Sequence, residues 1–487
     1  MDIKTLDLDD DYTPYCGLVP DPDPNNPHGW VKARTGPHVC ISAPTGVGKT
    51  RRIFGPAAIL HPGPVVSCSL KPDHAKLIFQ KRYGGIKGVL DFTGDGSAAV
   101  WPDGIKNMAS DPTAAITSAD EALTVAETML ATAGVGFAGG SASVSSGGLW
   151  DSTASAPLAA LLYAAGPKGN GAGMPWVINA AENFGLPDPN EEYPSPPPDE
   201  SWMTAIELCP HAMLTEPVVS MLAMDPRMRD SVAITARKAI KPWLRLGLST
   251  TAQLDEMDDV TKLDIHTFDL EMLDDPQATI CIIAPNRGAV AGVAVALIDS
   301  IVRYFQRKAA REILTHRLLL QLGEVCNSCP LPALINYVGA GRGSGIAIQA
   351  EVQASSQFDV VYGRQYAEAL RDVFPAFLLM RGAHERPILE QAANWKGMTT
   401  RRTEAYEPLG GSRGQSSVYG PEIEWQGLLP RDYKEARMVV RGTVGESLYV
   451  PDWQQFVDDI FDPAVRARNA RAAGTTPERA RRRNKHQ

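Results

Sequence analysis

The run "ISAPTGVGKT", Ile41 to Thr50, has the residue types and spacing of a loop that cradles a triphosphate. Gly46 and Gly48 let backbone N–H groups turn inward without Cβ clashes, Lys49 can reach the β- and γ-phosphates, and the Thr50 hydroxyl can ligate Mg²⁺. The candidate nucleotide-binding residues are Ala43, Pro44, Thr45, Gly46, Val47, Gly48, Lys49, Thr50 and Arg51, with ATP and Mg²⁺ as the expected ligands and Thr50 as the metal contact. Ala43 opens the loop where Gly is usual. A plain Gly-rich turn is the alternative, and the preceding "HVCIS", a short apolar run that reads as a buried strand, favours the P-loop.

A loop of this kind works only if a strand feeds it and a helix leaves it, with the positive helix end facing the anion. "PGPVVSCSLKPDHAKLI" supplies a second strand at Val65 to Ser69 and then a helix, which makes a βαβ start and a parallel sheet covered on both faces. From about Asn107 to Leu246 the texture is Ala-, Leu- and Met-rich. "DEALTVAETML", "LWDSTASAPLAALLYAAG", "SWMTAIELC", "EPVVSMLAMD" and "SVAITARKAIKPWLRLGL" read as helices, with "GVGFAGGSASVSSGG" and "GLPDPNEEYPSPPPDE" as loops between them. Strands return with "ATICIIAP" and, after a helix, with "RLLLQL" at Arg317 to Leu322. In P-loop ATPases such a strand ends in Asp-Glu, the Asp holding the Mg²⁺ shell and the Glu polarising water. Here the pair is Gly323-Glu324, so the metal-anchoring acid is missing. Downstream lie a Gly-rich turn with Arg342, a strand ending near Gln353, a helix and a further strand.

With 487 residues, 44% hydrophobic and 21% charged, the chain reads as a globular protein of two or three domains. It has neither an apolar run of about eighteen residues nor a secretory-type start, so a cytoplasmic protein is expected. Seven scattered cysteines read as reduced thiols, and the single CxxC at Cys326 and Cys329 has no second ligand pair at zinc spacing. The net charge is −9, yet "RARNARAAGTTPERARRRNKHQ" carries eight Lys/Arg against Glu478. That stretch reads either as a solvated, disordered tail or as a contact for nucleic acid or an anionic membrane.

Taken in order, "APTGVGKT" with "GPAAILHPGPVV", "LWDSTA", "FDLEMLDDPQATICIIAP", "LLLQLGE", "GRGSGIAIQAEVQASSQFDVVYG" and "LLMRGAHERPILEQAANWKG" resemble the coupling proteins of conjugative type IV secretion systems. These are DNA-pumping ATPases of the FtsK/HerA superfamily, and the resemblance spans about Gly36 to Asp462. It implies that Lys49 and Thr50 serve the phosphates and Mg²⁺, that Glu324 activates water, that Gln353 senses the γ-phosphate, and that Arg342 projects into a neighbouring subunit's site. Read without it, Arg342 is a loop ion pair, Gln353 a strand-end hydrogen bonder and Glu324 an exposed acid. Gly323 and the segment "SLKPD", with Ser69 at the family's first acid, depart from the family pattern. Nucleotide binding is expected to survive these changes while hydrolysis slows, and Gly323→Asp should raise turnover wherever the side chain fits. Amino-terminal membrane helices, common in the family, are another difference, so the expectation is either docking at the inner face of the cell membrane, through a partner or the basic tail, or work on DNA in the cytoplasm.

The resulting expectation is an α/β, RecA-like P-loop NTPase with a mainly parallel sheet and an inserted all-α domain. Residues 1–35 form an extension, 36–104 and 247–463 the motor, 105–246 the insertion and 464–487 the basic tail. The resemblance implies a hexameric ring that moves DNA, with the relaxase or relaxosome and secretion-channel proteins as partners. The alternatives are a nucleotide-gated adaptor that recruits protein cargo or the relaxosome with little hydrolysis, and a DNA-packaging ATPase of another mobile element. Deleting residues 466–487 removes a net charge of +7, from eight basic residues minus Glu478. Its expected effect is weaker DNA binding with a flatter salt dependence and little change in stability. Identical salt slopes for the full and truncated chains would mark the tail as a solvated extension.

Overall fold

The computed structural model describes residues 12–22, 29–82, 84–93, 101–133, 149–187, 196–256, 265–284, 291–383, 385–406 and 413–472. The expected loop at 134–148, half of the Pro-rich loop (188–195) and tail residues 473–487 lie outside these. The P-loop strand is β3 (His38–Ser42), followed in chain order by β4 (Val65–Ser69), β8 (Thr279–Ile283), β9 (Leu318–Leu322), β10 (Ile346–Val352) and β11 (Ala376–Met380). Every residue of these six strands is buried. Their near-continuous apolar composition, with no polar alternation, is what a parallel sheet covered on both faces requires.

Among the described residues the main sheet runs in spatial order β11-β3-β10-β9-β4-β8 through its centre, with all neighbours parallel. Beyond β8 it continues in parallel through β5 (Lys87–Asp91), β6 (Lys106–Ala109) and β7 (Ile265–Thr267). Past β11 it turns antiparallel through β14 (Glu435–Val440), β15 (Glu446–Tyr449), β1 (Leu18–Pro20) and β2 (Trp30–Lys32). Two strands therefore come from the expected amino-terminal extension, and β6 lies inside the span expected to be all helical. A separate antiparallel pair joins β12 (Met398–Tyr406) to β13 (Arg413–Pro421).

The helix after the P-loop begins with a π-wound turn, Thr50–Phe54, and continues as α1 (Gly55–Leu60). Pro56 has no N–H to donate, and its ring would press on the carbonyl four residues back; the wider turn accommodates both. Between β6 and β7 lie α3 (Ala119–Thr132), α4 (Leu149–Ala165), α5 (Gly173–Glu182), α6 (Trp202–Leu208), α7 (Ala212–Leu222) and α8 (Pro226–Glu256). Ser118 caps α3 by accepting from Glu121 N–H, and the Glu121 carboxylate in turn accepts from Thr117 N–H. Residues 158–165 of α4 are all buried, as expected for a helix apolar on every side and packed against α3, α5, α7 and α8. One hydrophobic cluster joins these helices to the sheet through Cys40, Val66, Ile280 and Leu320. The basic stretch that closes the sequence starts within a helix, Asp462–Ala472. Among the described residues no helix is long and apolar enough to cross a membrane.

Two buried glutamines, in register on β9 and β10, tie the sheet to the P-loop helix. Gln321 Nε2 donates to Phe54 O (2.8 Å) and to Gln349 Oε1 (2.9 Å), while Gln349 Nε2 donates to Tyr15 O (2.7 Å). Gln349→Leu leaves the Tyr15 carbonyl and one Gln321 bond without a partner inside the core. A loss of about 1–3 kcal/mol is expected, read from the denaturant midpoint of the full chain; an unchanged midpoint would show that the chain of amides carries no net stability.

Candidate functional site

The carboxyl ends of β3, β4, β9 and β10 lie on one edge of the sheet, where open α/β sheets bind ligands. Here Ala43–Gly48 leave β3 as a loop in which Gly46 (φ 85°) and Gly48 (φ 89°) adopt left-handed backbone, a conformation costly for other residues. Ala43 N–H donates to Val352 O (3.2 Å), fastening the loop to the end of β10. A cavity of ≈ 460 Å³ opens beside the loop, lined by Thr45, Gly46, Gly48, Lys49, Thr50 and Arg51, by Ser69, Lys71, Asp73, His74 and others on the β4 side, and by Gly323, Glu324 and Glu351. Loop, helix start and acid thus meet in one space.

Lys49 is buried and held at its tip: Nζ donates to Ala43 O (2.6 Å) and Pro44 O (3.2 Å) and pairs with Glu351 Oε1 (3.0 Å). Burial pushes Glu351 up to about 6 against the lowering effect of Lys49, and Glu324 pushes in the same direction as burial. Thr50 Oγ1 lies 2.8 Å from His74 Nε2, while His74 Nδ1 is 3.4 Å from Ser67 Oγ. Burial lowers His74 to about 4, so the ring is neutral near pH 7. Glu324 follows β9 in left-handed backbone (φ 49°, ψ 52°), and its carboxylate accepts from Asn327 Nδ2 (3.3 Å). A non-glycine residue in that region costs on the order of 1 kcal/mol or more, the kind of strain that collects at functional positions.

The other expected site residues fall elsewhere. Gln353 sits just past β10, its N–H donating to Gln357 Oε1 (2.9 Å), and is not among the residues lining the cavity. Arg342 lies in the turn Gly341–Ser344, before β10 begins. Because β10 runs parallel to β3, that turn is at the opposite edge of the sheet from the P-loop of the same chain. Arg51 forms two hydrogen bonds to Asp452 (3.2 and 2.8 Å), and Arg52 Nη1 donates to Val450 O (2.8 Å), so the chain's last segment is anchored to the P-loop helix.

Sequence reasoning missed Glu351, His74 and Glu385. An acid in the strand run "IAIQAEV" was the available signal for Glu351, since a buried charge needs a specific partner. Glu385, also buried, accepts from Ser42 Oγ and from Ser355 N–H and Oγ, each at 2.6 Å. It joins the end of the P-loop strand to the loop after β10. The seven cysteines are free and buried, and Cys326 is pushed up to about 12 by burial, the behaviour of core thiols rather than reactive ones.

Space for a side chain at position 323 is tight. A Cβ there would lie 3.0 Å from His74 Cε1, 3.1 Å from Cys68 O and 3.3 Å from Ser69 Cβ. The expectation that Gly323→Asp raises turnover required the side chain to fit, and for that the His74 ring, Cys68 O and Ser69 would each have to give way by a few tenths of an ångström. Gly323→Asp should instead destabilise the fold by about 1–3 kcal/mol, and adding His74→Ala should recover much of that loss. Chemical denaturation of both variants decides it, and an undisturbed single variant would mean the ring moves aside freely.

Residues 317–430 match the family model described as the TraM recognition site of TraD and TraG. No curated protein matches the chain by sequence. Among solved structures, the bacterial conjugative coupling protein TrwBdeltaN70 in its unbound monoclinic form matches with TM-score 0.53 and 15% identity over 85% of each chain. Plasmid coupling protein TrwB in complex with the non-hydrolysable ATP analogue ADPNP matches with TM-score 0.52 and 14% identity over 86% of each chain. TrwB in complex with ADP and Mg²⁺ gives TM-score 0.52 and 15% identity over 85% of this chain and 86% of that one. At these identities the likeness is one of fold, a RecA-like P-loop architecture. The family model covers residues 317–430 alone, and the solved structures that share the fold are conjugative coupling proteins.

Proposed function

We propose that this chain, with its coupling-protein fold, is an ATP-binding motor of conjugative DNA transfer. The observation that carries the reading is the cavity that gathers Lys49, Thr50 and Glu324 at one edge of a parallel sheet. The positive φ values of Gly46 and Gly48, the helix beginning at Thr50 and the lysine at its head fit a polyphosphate. The ADPNP and ADP–Mg²⁺ complexes of TrwB support ATP and Mg²⁺ as the ligands. Bound nucleotide supplies the transferable phosphoryl group, and its metal offsets the charge that develops during transfer. Lys49 would orient the phosphates, Thr50 would offer its hydroxyl oxygen to the metal, and Glu324 would polarise the attacking water.

In this reading the subunits close into a hexameric ring that threads DNA, with Arg342 donating to the neighbouring subunit's site. Support comes from its place beyond the start of β10: a seven-residue strand spans roughly 23 Å, too far for Arg342 to serve its own P-loop. The TraM-recognition description of the matched family supports a relaxosome partner, and secretion-channel proteins complete the set. A second reading, a nucleotide-gated adaptor with little hydrolysis, is favoured by Gly323 and by the Glu351 carboxylate that pairs with Lys49.

The test is ATP turnover by purified protein with and without single- and double-stranded DNA. DNA-stimulated turnover abolished by Lys49→Ala supports the motor; tight ATP binding without turnover supports the adaptor. Arg342→Ala is expected to keep nucleotide affinity and lose about 10³-fold or more of turnover. Mixed with Lys49→Ala protein it should recover part of that activity. Mixtures no more active than the separate variants, with subunit exchange demonstrated, would place Arg342 outside the reaction.

A further inference from the structure

We propose that Glu351 is the carboxylate on the divalent-cation side of this nucleotide site, taking over from the neighbouring strand the part that position 323 leaves empty. The inference rests on the nucleotide-site reading of Ala43–Arg51 and deepens it. β9 and β10 pair in parallel with Gln321 opposite Gln349 and Leu322 opposite Ala350, which puts Gly323 and Glu351 next along the ladder. Side chains two residues apart share a face. Positions 323 and 351 therefore follow the two glutamines, whose amides meet beneath the P-loop helix at Phe54 O. The carboxylate of Glu351 emerges one strand spacing, about 4.8 Å, from the position of an aspartate at 323, and its additional methylene recovers part of that distance.

Charge leads to the same assignment. Glu351 is only 4% exposed, and an ionised carboxylate so buried costs several kcal/mol unless it is paired. Its partner is Lys49, the one group that the loop commits to phosphate. A polyphosphate drawn to Lys49 would meet Glu351 and Glu324 in the same cavity, and a divalent cation between phosphate and carboxylate relieves that repulsion. Among the described residues no group of three or more His, Cys, Asp or Glu is placed to hold a metal by itself. One or two carboxylates together with the phosphates is how Mg²⁺ is usually held.

His74 completes the substitution. A ring that accepts the Thr50 hydroxyl proton at Nε2 leaves the Thr50 oxygen lone pairs to the cation and directs its own Nδ1–H toward Ser67. The opposite tautomer would aim a proton at that oxygen. Gly323 admits the ring, since any Cβ there would press on His74 Cε1. Two residues thus share the work of one aspartate: Glu351 supplies charge and His74 orients Thr50.

The experiment is equilibrium binding of mant-ADP to the full chain in Mg²⁺ and in EDTA, for wild type, Glu351→Gln and Glu351→Asp. Glu351→Gln should lose roughly 10- to 100-fold of the Mg²⁺-dependent tightening while its affinity in EDTA holds or improves. A full Mg²⁺ increment in that variant, with only the EDTA affinity changed, would make Glu351 a counter-ion of Lys49 and overturn the proposal. Wild type that binds no mant-ADP in either condition would instead remove the nucleotide reading beneath it. Should Glu351→Gln fail to fold, Mn²⁺ paramagnetic resonance on the ADP complex of Glu351→Asp gives the answer: weaker Mn²⁺ binding than wild type is expected, and equal binding refutes the role.

Discussion

The parallel pairing of β3, β10 and β9 is the constraint from which the rest of the molecule follows. Parallel strands joined by helical crossovers end on the same edge, so the P-loop, the residues after β10 and Glu324 are delivered to one line without any local sequence signal linking them. The same pairing buries both faces of the sheet, which leaves the backbone satisfied within the ladder and permits polar side chains inside only where they bond to one another. Gln321 and Gln349 meet that condition, and through Phe54 O they hold the P-loop helix to the strands beneath it.

Around this centre the chain closes on itself. Arg51 and Arg52 reach Asp452 and Val450, Lys81 pairs with Asp462, and Trp453 packs where Gly55 leaves no room for a side chain. The Arg51–Asp452 and Lys81–Asp462 pairs are solvent-accessible and contribute little stability each. The larger contribution is apolar: Trp453, Phe456, Val457 and Ile460 share a buried cluster with Ala57, Ala58, Leu77 and Ile78. Residues more than 370 positions apart therefore set the orientation of the helix that would face a phosphate.

Lys49 sits at the balance point of the site. Its charge is offset by Glu351 and two carbonyl oxygens, so a phosphate must compete with them for it. That arrangement ties phosphate affinity to whatever cation accompanies the phosphate. It also makes the site sensitive to changes on β10.

The local elements were legible in the sequence because each carries its own signal. "HVCIS", "VVSCS", "TICII" and "LLLQL" are short, mainly apolar runs without helical periodicity, and Gly46, Gly48, Lys49 and Thr50 are spaced for one loop conformation. Glu351 opposite Gly323, His74 against Thr50, Glu385 beneath Ser42, and β1 and β2 added at the sheet edge were decided by tertiary structure alone. Each depends on which strands become neighbours and in what register. Such pairings between distant segments are selected by the burial of the whole core, and leave no periodicity or spacing in the chain from which they could be read.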